Sequence, residues 1–463
     1  MTSPFAFLEH PTDAPALIDA ATGRIWTQDE LAAAVRSSAE ELATGTRRLV
    51  FCMCSGDIAS IVGYLSAIAA GHAVALLDSQ ARAELTQGLI DRYRPAFIVR
   101  SGDRQELEIR KGCDPSLARP ADELAVLLST SGTTGSPKLV RLAHRNVDAN
   151  ATSIAEYLEI DEHERAIQSL PIHYSYGLSV LNSHLASGAC VILTPHSIMR
   201  PDFWTDAARW RATSFAGVPY SYAILERTGL LRDAMPETMR TLTQAGGRLA
   251  PEAIIRLHDL MRGRGGRLWV MYGQTEATAR ISYVPPDALP DKAHTIGIPI
   301  PRGRMSVWQD DREIADHDVE GELVYRGPNV MLGYAECRED LALGDTLNGE
   351  LRTGDLGSFD SDGFFRVTGR TKRIAKVYGL RVNLDEIEAA ASEHGPVAAV
   401  EVGEQIVLWR AAASGATGDE LRYEVARRFG LNARAFALRD IDELPMKASG
   451  KIDYDTLAKR YAT

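Results

Sequence analysis

The segment Ser129-Thr-Ser-Gly-Thr-Thr-Gly-Ser-Pro-Lys138 has the residue types of a phosphate-binding loop. It follows the apolar run Leu124-Ala-Val-Leu-Leu128, which predicts a buried strand. Hydroxyl groups can donate to phosphate oxygens, glycines let backbone N–H groups approach an anion closely, and Lys138 supplies a point charge. The hydroxyl and glycine positions expected to contact the phosphates are Thr130, Ser131, Gly132, Thr133, Thr134 and Gly135. A flexible surface loop is the alternative, but this density of hydroxyl, glycine, proline and lysine residues exceeds what a turn requires.

Two other nucleotide-binding loops are excluded by their patterns. The P-loop pattern Gly-x-x-x-x-Gly-Lys-[Ser/Thr] occurs nowhere, and Gly450-Lys451 lacks both the leading glycine and the trailing hydroxyl. No Gly-x-Gly-x-x-Gly opens a helix after a strand, so a dinucleotide site of the Rossmann type is also unsupported. The segment therefore belongs to a different kind of phosphate loop.

Later segments carry further groups suited to a magnesium-bound nucleotide. Tyr272-Gly-Gln-Thr-Glu276 offers a flat aromatic face and a hard carboxylate ligand of the kind that Mg²⁺ prefers. Asp355, in Thr353-Gly-Asp355, can accept both ribose hydroxyls through its two oxygens. Taken singly, Tyr272 is more often a packed aromatic and Thr353-Gly-Asp355 a common turn, while Glu276 could equally be a solvated acid.

In this order, the segments resemble the motifs of the acyl-adenylate-forming superfamily, which includes acyl- and aryl-CoA synthetases, peptide-synthetase adenylation domains and firefly-type luciferases. Gly369-Arg370 resembles the start of the family's hinge, and Leu444-Pro-Met-Lys-Ala-Ser-Gly-Lys451 resembles the segment with its C-terminal lysine. The resemblance runs over roughly residues 120–452. One departure is Leu139, where the family commonly has glycine after the loop lysine.

The resemblance implies roles for individual residues. Glu276 would bind Mg²⁺, Asp355 the ribose, and Lys451 would bridge the α-phosphate and the carboxylate as the adenylate forms. The implied ATP-binding positions are the phosphate-loop residues named above with Lys138, and also Gly246, Gly247, Arg248, Tyr272, Gly273, Gln274, Thr275, Asp355, Arg370 and Arg381.

The family is also known for a second pose, in which the C-terminal domain turns after adenylation. Lys372 matches the hinge position, where a few linker residues absorb the change in backbone angles. Lys376 matches the lysine presented in that pose, and Arg381 falls where a loop lines the pantetheine tunnel. The resemblance thus makes Lys376 and Lys451 catalytic in different half-reactions.

The acyl pocket is expected around Pro171-Ile-His-Tyr-Ser-Tyr-Gly-Leu178, which resembles a stretch of acyl- and aryl-CoA ligases. His173 or Tyr174 could cover the reacting carboxylate, with Gly247 as part of the pocket wall; a buried aromatic cluster is the alternative. No Asp occurs between residues 165 and 190, which argues against an α-amino acid. No Lys or Arg lies there either, which leaves a neutral aliphatic or aromatic acid.

These features predict a ligase that converts ATP and a carboxylic acid into acyl-AMP and pyrophosphate, with Mg²⁺ as cofactor. Thioester formation would follow, with CoA as the expected co-substrate. The alternatives are a stand-alone ligase that loads a separate carrier protein, or transfer of the acyl group to an amine or hydroxyl. A non-catalytic nucleotide-binding protein is disfavoured because Lys138, Glu276, Asp355 and Lys451 are all present.

Alternating strand-like and helix-like segments must position these residues. Short apolar runs separated by amphipathic helices predict parallel sheets covered on both faces, and hence an α/β fold. We expect a large N-terminal domain over residues 1–370, with a small β-rich subdomain from about 295 to 370, and a small mobile α+β lid domain over 371–463.

Composition sets the broad class. The 463 residues are 45% hydrophobic and 24% charged, with a net charge of −11, which argues against nucleic acid or an anionic membrane as the main partner. Five scattered cysteines exclude a disulfide scaffold. An uncharged stretch between Asp57 and Asp78 is long enough to cross a bilayer but is better explained as a helix, Gly71 and a strand. Without a signal peptide, the cytosol is the expected location.

Overall fold

The computed structural model describes residues 5–102, 107–112, 119–129, 138–370, 373–377, 380–403, 405–411, 418–429, 431–447 and 451–462. The helices are α1 Gln28–Leu42, α2 Ile58–Ala69, α3 Ala83–Tyr93, α4 His144–Leu158, α5 Ser175–Ala186, α6 Pro201–Arg209, α7 Pro219–Thr228, α8 Leu230–Asp233, α9 Pro251–Gly263, α10 Leu384–Ala391, α11 Gly418–Arg428 and α12 Tyr454–Ala462.

The strands are β1 Pro15–Asp19, β2 Arg24–Thr27, β3 Leu49–Cys54, β4 Ala73–Asp78, β5 Phe97–Ser101, β6 Leu107–Lys111, β7 Leu124–Ser129, β8 Leu139–Ala143, β9 Arg165–Ile167, β10 Cys190–Leu193, β11 Ser214–Gly217, β12 Thr241–Gln244, β13 Arg267–Tyr272, β14 Ser282–Val284, β15 Ile298–Pro299, β16 Arg304–Gln309, β17 Arg312–Ile314, β18 Gly321–Arg326, β19 Gly333–Ala335, β20 Glu350–Phe359, β21 Phe365–Arg370, β22 Ile374–Val377, β23 Leu380–Asn383, β24 Val397–Val402, β25 Gln405–Ala411 and β26 Phe436–Ile441.

A nine-stranded sheet has the order β15-β14-β13-β12-β11-β9-β10-β1-β2. Its central strands, from β13 to β1, pair in parallel, and antiparallel strands close both ends. Because parallel strands end at one edge, the loops after β9, β11, β12 and β13 lie side by side there. Ligands of open α/β sheets bind outside the carboxyl ends of the strands, so this edge is the expected place for a site.

A seven-stranded sheet has the order β19-β8-β7-β4-β3-β5-β6. Strands β5, β3, β4 and β7 are parallel, and β8 returns antiparallel to β7 after the phosphate-loop segment. Helix α2 is apolar on nearly every face, and its buried side chains share one core with those of β3, β4, β7 and α5. This core explains the uncharged stretch, since Gly71 ends α2 with a φ of 76° and β4 follows. Within the described ranges, no helix is long and apolar enough to span a bilayer.

Three smaller sheets follow: a five-stranded sheet β17-β16-β18-β20-β21, the pair β22-β23, and β24-β25-β26. The chain divides into two compact units, residues 1–305 with 325–351, and residues 306–324 with 352–463. The expected α/β class, with large parallel sheets and a smaller C-terminal part, is confirmed. The predicted domain boundary at 370 stays a prediction.

Candidate active site

Three side chains connect the end of the phosphate-loop segment to the proposed magnesium ligand. The Nζ of Lys138 lies 3.4 Å from the centre of the Tyr334 ring. The Tyr334 hydroxyl donates to Glu276 Oε1 at 2.7 Å. Burial, together with the neighbouring Glu276 carboxylate, raises the pKa of Tyr334 well above its ordinary value, so the phenol stays a donor. Lys138 and Glu276, which are far apart in the sequence, therefore contact the same tyrosine side chain, one at its ring and the other at its hydroxyl.

Tyr334, which the sequence analysis missed, is held by long-range backbone contacts. It lies on β19, opposite Val140 of β8. The fully buried Arg141 donates from its guanidinium to the carbonyls of Leu332, Leu343, Gly344 and Tyr334 itself. At Gly333, with a φ of 131°, a Cβ would lie 2.8 Å from Arg141 Nη2. This packing fixes the ring next to Glu276.

The loop after β13 turns sharply before it presents Glu276. A Cβ on Gly273 would lie 1.7 Å from the carbonyl oxygen of Ala279, so only glycine fits there. Gln274 Nε2 donates to the Tyr272 hydroxyl at 3.2 Å, and a 3₁₀ helix over Thr275–Ala277 carries the carboxylate.

Asn329 braces the same loop from a separate segment. Its Nδ2 donates to the carbonyls of Ala277 at 2.7 Å and Arg280 at 2.8 Å. Its Oδ1 accepts from the Tyr325 hydroxyl, and its carbonyl accepts from Thr278 Oγ1. The loop geometry therefore depends on a residue that no local motif of the sequence identifies.

The expected acyl-pocket residues precede α5 at the same edge of the nine-stranded sheet. Burial lowers the pKa of His173, which favours the neutral ring, although the Asp78 carboxylate opposes the shift. Among the described residues, His173 Nδ1 is buried with no hydrogen-bond partner. Burial raises the pKa of Tyr174, and a Cβ on Gly246 would lie 2.6 Å from the Tyr174 hydroxyl oxygen. The edge therefore presents a neutral imidazole and a phenol.

The neighbouring loops complete this edge. Ser175 Oγ and Thr275 Oγ1 are 3.1 Å apart, which links the acyl-pocket segment to the loop of Glu276. Gly247 lies against Pro219, whereas Arg248 is exposed to solvent. The first compact unit thus brings together the expected acyl-pocket residues, the loop of Glu276 and, through Tyr334, Lys138.

The expected ribose ligand lies on the second compact unit. Asp355, on β20, is only 2% exposed, and its Oδ1 accepts from Arg370 Nε at 3.0 Å. Its backbone N–H donates to Thr353 Oγ1, which donates in turn to the carbonyl of Leu323. Arg370 is therefore in position to hold the Asp355 carboxylate in one orientation.

The expected lysines of the two half-reactions also lie on the second unit. Lys376 is on β22, and its backbone pairs with that of Arg381 on β23. Lys451 accepts through its carbonyl from the Lys447 N–H at 2.7 Å, next to the bridge between Met446 and Ile452. Lys372 and the loop residues Thr130, Ser131, Gly132, Thr133, Thr134 and Gly135 lie outside the described residues.

The single carboxylate of Glu276 suits Mg²⁺ better than a metal whose ligands all come from protein side chains. No group of three His, Cys, Asp or Glu side chains suited to a metal occurs in the described part of the chain. Glu276, fixed by Tyr334, is a single oriented carboxylate. Mg²⁺ usually takes one or two carboxylates and completes its shell with waters and substrate phosphates.

Comparison with known proteins gives a family match and several relatives. The model of the AMP-binding enzyme family matches residues 6–335. An oxalate–CoA ligase of Arabidopsis thaliana is 29% identical over 359 residues, 74% of this chain and 69% of that protein. A sulfoacetate–CoA ligase of Cupriavidus necator is 32% identical over 346 residues, 72% of this chain and 66% of that protein.

Two further matches cover more of the chain. An L-proline–[L-prolyl-carrier protein] ligase of Pseudomonas fluorescens is 30% identical over 426 residues, 87% of this chain and 83% of that protein. The structure of the O-succinylbenzoate coenzyme A synthetase from Bacillus subtilis in complex with AMP superposes with a TM-score of 0.78 at 22% identity, covering 99% of this chain and 98% of that one. The fold is therefore shared along nearly the whole length.

Proposed function

This chain belongs to the AMP-binding enzyme family, and from that premise we propose that it is an AMP-forming acid–thiol ligase. In the first half-reaction, a carboxylate oxygen of the acid attacks the α-phosphorus of ATP, and the bond to pyrophosphate breaks. In the second, a thiol sulfur attacks the acyl carbonyl and loses its proton, and the bond to AMP breaks. The products are a thioester, AMP and pyrophosphate.

One observation carries this proposal: Lys138, Tyr334 and Glu276 converge at the carboxyl edge of the sheets. Phosphoryl-group chemistry depends mainly on positioning and on charges placed before the reaction. Lys138 would bind the outer phosphates, and Glu276 would hold Mg²⁺, which neutralises phosphate charge when bound. Tyr334 keeps the lysine and the carboxylate at fixed positions.

The remaining roles follow the same chemistry. Asp355 would accept the ribose hydroxyls, with Arg370 holding its carboxylate. Tyr272, Gly246 and Gly247 would contact the adenine or the acid, while Lys451 would serve adenylation. We also propose that Lys376 and Arg381 serve thioester formation, after a turn about Lys372 at the boundary between residues 1–370 and 371–463.

CoA is the proposed acceptor. The relatives from Arabidopsis thaliana and Cupriavidus necator are CoA ligases, and their acids, oxalate and sulfoacetate, are small. A carrier-protein thiol is the second candidate, because the relative with the broadest overlap among those described is a carrier-protein ligase. We further propose a cytosolic location, since the four described cysteines are free thiols.

Acid-dependent pyrophosphate release tests the first half-reaction directly. The protein is incubated with ATP, Mg²⁺ and each member of a panel of acids, and then with CoA or a phosphopantetheinylated carrier protein as acceptor. We expect pyrophosphate and AMP in equal amounts, and thioester with CoA. Thioester on the carrier protein alone would replace CoA with the second candidate. Pyrophosphate release that does not depend on any acid would contradict the proposed function.

A further inference from the structure

Arg280 is a buried cation without a carboxylate partner in the described part of the chain. Its side chain is among the largest that are fully buried, at 2% exposure, and its Nε has no hydrogen-bond partner there. No ion pair of the described residues includes it, although lysines and arginines are almost never fully buried unless they are paired. An uncompensated charge in the interior is costly. The buried Arg141 offsets that cost with four backbone carbonyls, whereas the Arg280 side chain contacts Tyr157 and Tyr176 and borders a cavity, which leaves its charge available to an anion that arrives from outside.

The neighbours of Arg280 are neutral aromatic groups. Its Cζ lies 4.1 Å from the centre of the Tyr176 ring, and the Tyr176 hydroxyl is 2.8 Å from Thr243 Oγ1. Burial raises the pKa of Tyr157, Tyr174 and Tyr176, and the charge of Arg280 opposes each shift without reversing it. A cation–π contact orients the guanidinium but does not neutralise it.

The backbone at Arg280 is held by Asn329, the residue that also braces the loop of Glu276. Thr278 and Ala279 precede it with φ values of 55° and 106°, a conformation that residues other than glycine adopt only when their surroundings impose it. Asn329 imposes it here by donating to the Arg280 carbonyl. The proposed magnesium ligand Glu276 and the buried Arg280 therefore lie on one loop that Asn329 holds in place.

Arg280 also borders a cavity whose lining includes Ser179, the residue directly after the expected acyl-pocket segment 171–178. The cavity lies between α5 and the strands β9, β11 and β12, and Ser179, His184 and Thr243 share its lining. His184 adds no charge, because burial lowers its pKa to about 4. Glu164 lines the cavity too, but its carboxylate accepts a hydrogen bond from Thr213 Oγ1 and makes no ion pair with Arg280.

We propose that Arg280 binds a second anionic group of the acid substrate, so that the preferred acids are small dianions. The second group is a carboxylate or a sulfonate on the end of the acid remote from the reacting carboxylate. This inference rests on the proposed function and names its substrate class. It departs from the expectation of a neutral acid, which considered only residues 165–190 and did not include the loop after β13.

Matched pairs of acids test the inference. Succinate is compared with butyrate, glutarate with valerate, and sulfoacetate with propionate, by acid-dependent pyrophosphate release. We expect the wild-type kcat/KM to be at least about 10²-fold higher for the dianion of a favoured pair, because a site with buried polar groups rejects a ligand that leaves them unpaired. The carboxylate and sulfonate members show which anion is preferred.

Variants then assign the selectivity to one side chain. Arg280→Gln should lower kcat/KM for the favoured dianion by about 10²-fold or more, and should change kcat/KM for the matched monoanion only a few-fold. Arg280→Lys should retain part of the selectivity. The matched control is Arg256→Gln, since Arg256 is an exposed arginine paired with Glu226, and it should keep the wild-type preference.

The outcomes separate the inference from the function on which it rests. If the wild type preferred the monoanions, or if Arg280→Gln left the selectivity unchanged, the inference would be overturned. The proposed ligase function would not be affected. No pyrophosphate release with any acid would overturn both. If Arg280→Gln does not fold, Arg280→Lys and the wild-type pairs still decide. A dianion preference that is reduced but not lost in the lysine variant supports the inference, and an unchanged preference there, or a wild-type preference for acids without a second anionic group, refutes it.

Discussion

Tyr334 shows how much a single phenol can contribute to a site made of charges. Its hydroxyl donates to Glu276 while its ring faces the ammonium of Lys138. The two contacts use different parts of the side chain, so they can be separated by substitution. A phenylalanine keeps the ring and removes only the donor.

Tyr334→Phe should weaken the use of Mg²⁺ more than the binding of ATP. Removing a group that orients a metal ligand typically lowers the metal affinity 10- to 100-fold. We expect the Mg²⁺ concentration for half-maximal adenylation to rise by about that factor, towards the value for Glu276→Gln. Tyr423→Phe, at an exposed tyrosine, is the control. An unchanged Mg²⁺ dependence would remove Tyr334 from the site.

The loop from β13 to β14 is held by hydrogen bonds from a residue outside its own sequence motif. Asn329 satisfies two carbonyls of that loop and one tyrosine hydroxyl, and it is almost fully buried. These partners have no alternative in the interior, so removing the amide leaves them without hydrogen bonds.

Asn329→Ala should lower both stability and adenylation. Three buried groups that lose their partners cost about 3 kcal/mol in the free energy of unfolding, measured by urea denaturation. Adenylation should fall as well, because Glu276 and Arg280 sit on the released loop. The control is Asn150→Ala, since the buried Asn150 Nδ2 has no partner among the described residues, and its cost should be smaller. Equal costs would show that Asn329 does not brace the loop.

The buried His184 of helix α5 should make the stability of the fold depend on pH. Burial lowers the pKa of His184 to about 4, and its Nδ1–H donates to the carbonyl of Val180 at 2.8 Å. The unfolded chain takes up a proton near the ordinary pKa of about 6.5, before the folded chain does, so this group destabilises the fold as the pH falls from about 6.5 to 4. The loss is of the order of 3 kcal/mol for one group.

His184→Gln should therefore flatten that part of the stability profile. The free energy of unfolding of wild type and variant is measured by urea denaturation between pH 7 and pH 4. The variant is expected to lose less stability on acidification, while His163→Gln, at an exposed histidine, should follow the wild type. Parallel profiles for wild type and His184→Gln would show that His184 is not kept neutral.

The elements that the sequence predicted are those with a clear pattern. The uncharged stretch after Asp57 forms α2, Gly71 and β4 as predicted, and α1 begins at a capping box of Thr27 and Glu30, which is a local pattern of the same kind. Helix α5 was not predicted as an element, because all of its residues except Val180 are buried and no polar face marks its period.

The site shows the same division between local and long-range information. The loop segments were identified from local residue types, but Tyr334 and Asn329 act on the Glu276 loop across more than 50 residues. Such contacts depend on strand pairing that no local pattern encodes. Arg280 was missed although it lies four residues after Glu276, because an arginine in a loop ordinarily faces solvent.

At the scale of the whole molecule, the candidate groups are divided between two compact units. Glu276 and Lys138 lie on the first, whereas Asp355, Lys376 and Lys451 lie on the second. The proposed alternation assigns the two lysines of the second unit to different half-reactions. A residue that faces away during one step does not affect the transition state of that step.

Lysine substitutions should therefore separate the half-reactions. Lys451→Ala should slow acid-dependent pyrophosphate release by about 10²- to 10³-fold, the scale for one preorganised charged donor, and spare thioester formation from preformed acyl-AMP. Lys376→Ala should show the reverse. Lys459→Ala, on α12, is the control for the loss of a lysine. If Lys376→Ala slowed both steps equally, the two-pose proposal would lose its support.

Formation of an acyl-adenylate is the step on which the proposed function depends, and it is tested by trapping that intermediate. The protein is incubated with ATP, Mg²⁺ and a panel of mono- and dianionic acids without any thiol, and the bound products are identified by mass spectrometry. We expect acyl-AMP with one member or class of the panel, together with an equal amount of pyrophosphate. The acyl-AMP should be converted to thioester and AMP when CoA is added. Detection of ADP and an acyl-phosphate, or turnover of ATP without any acyl-AMP, would contradict it.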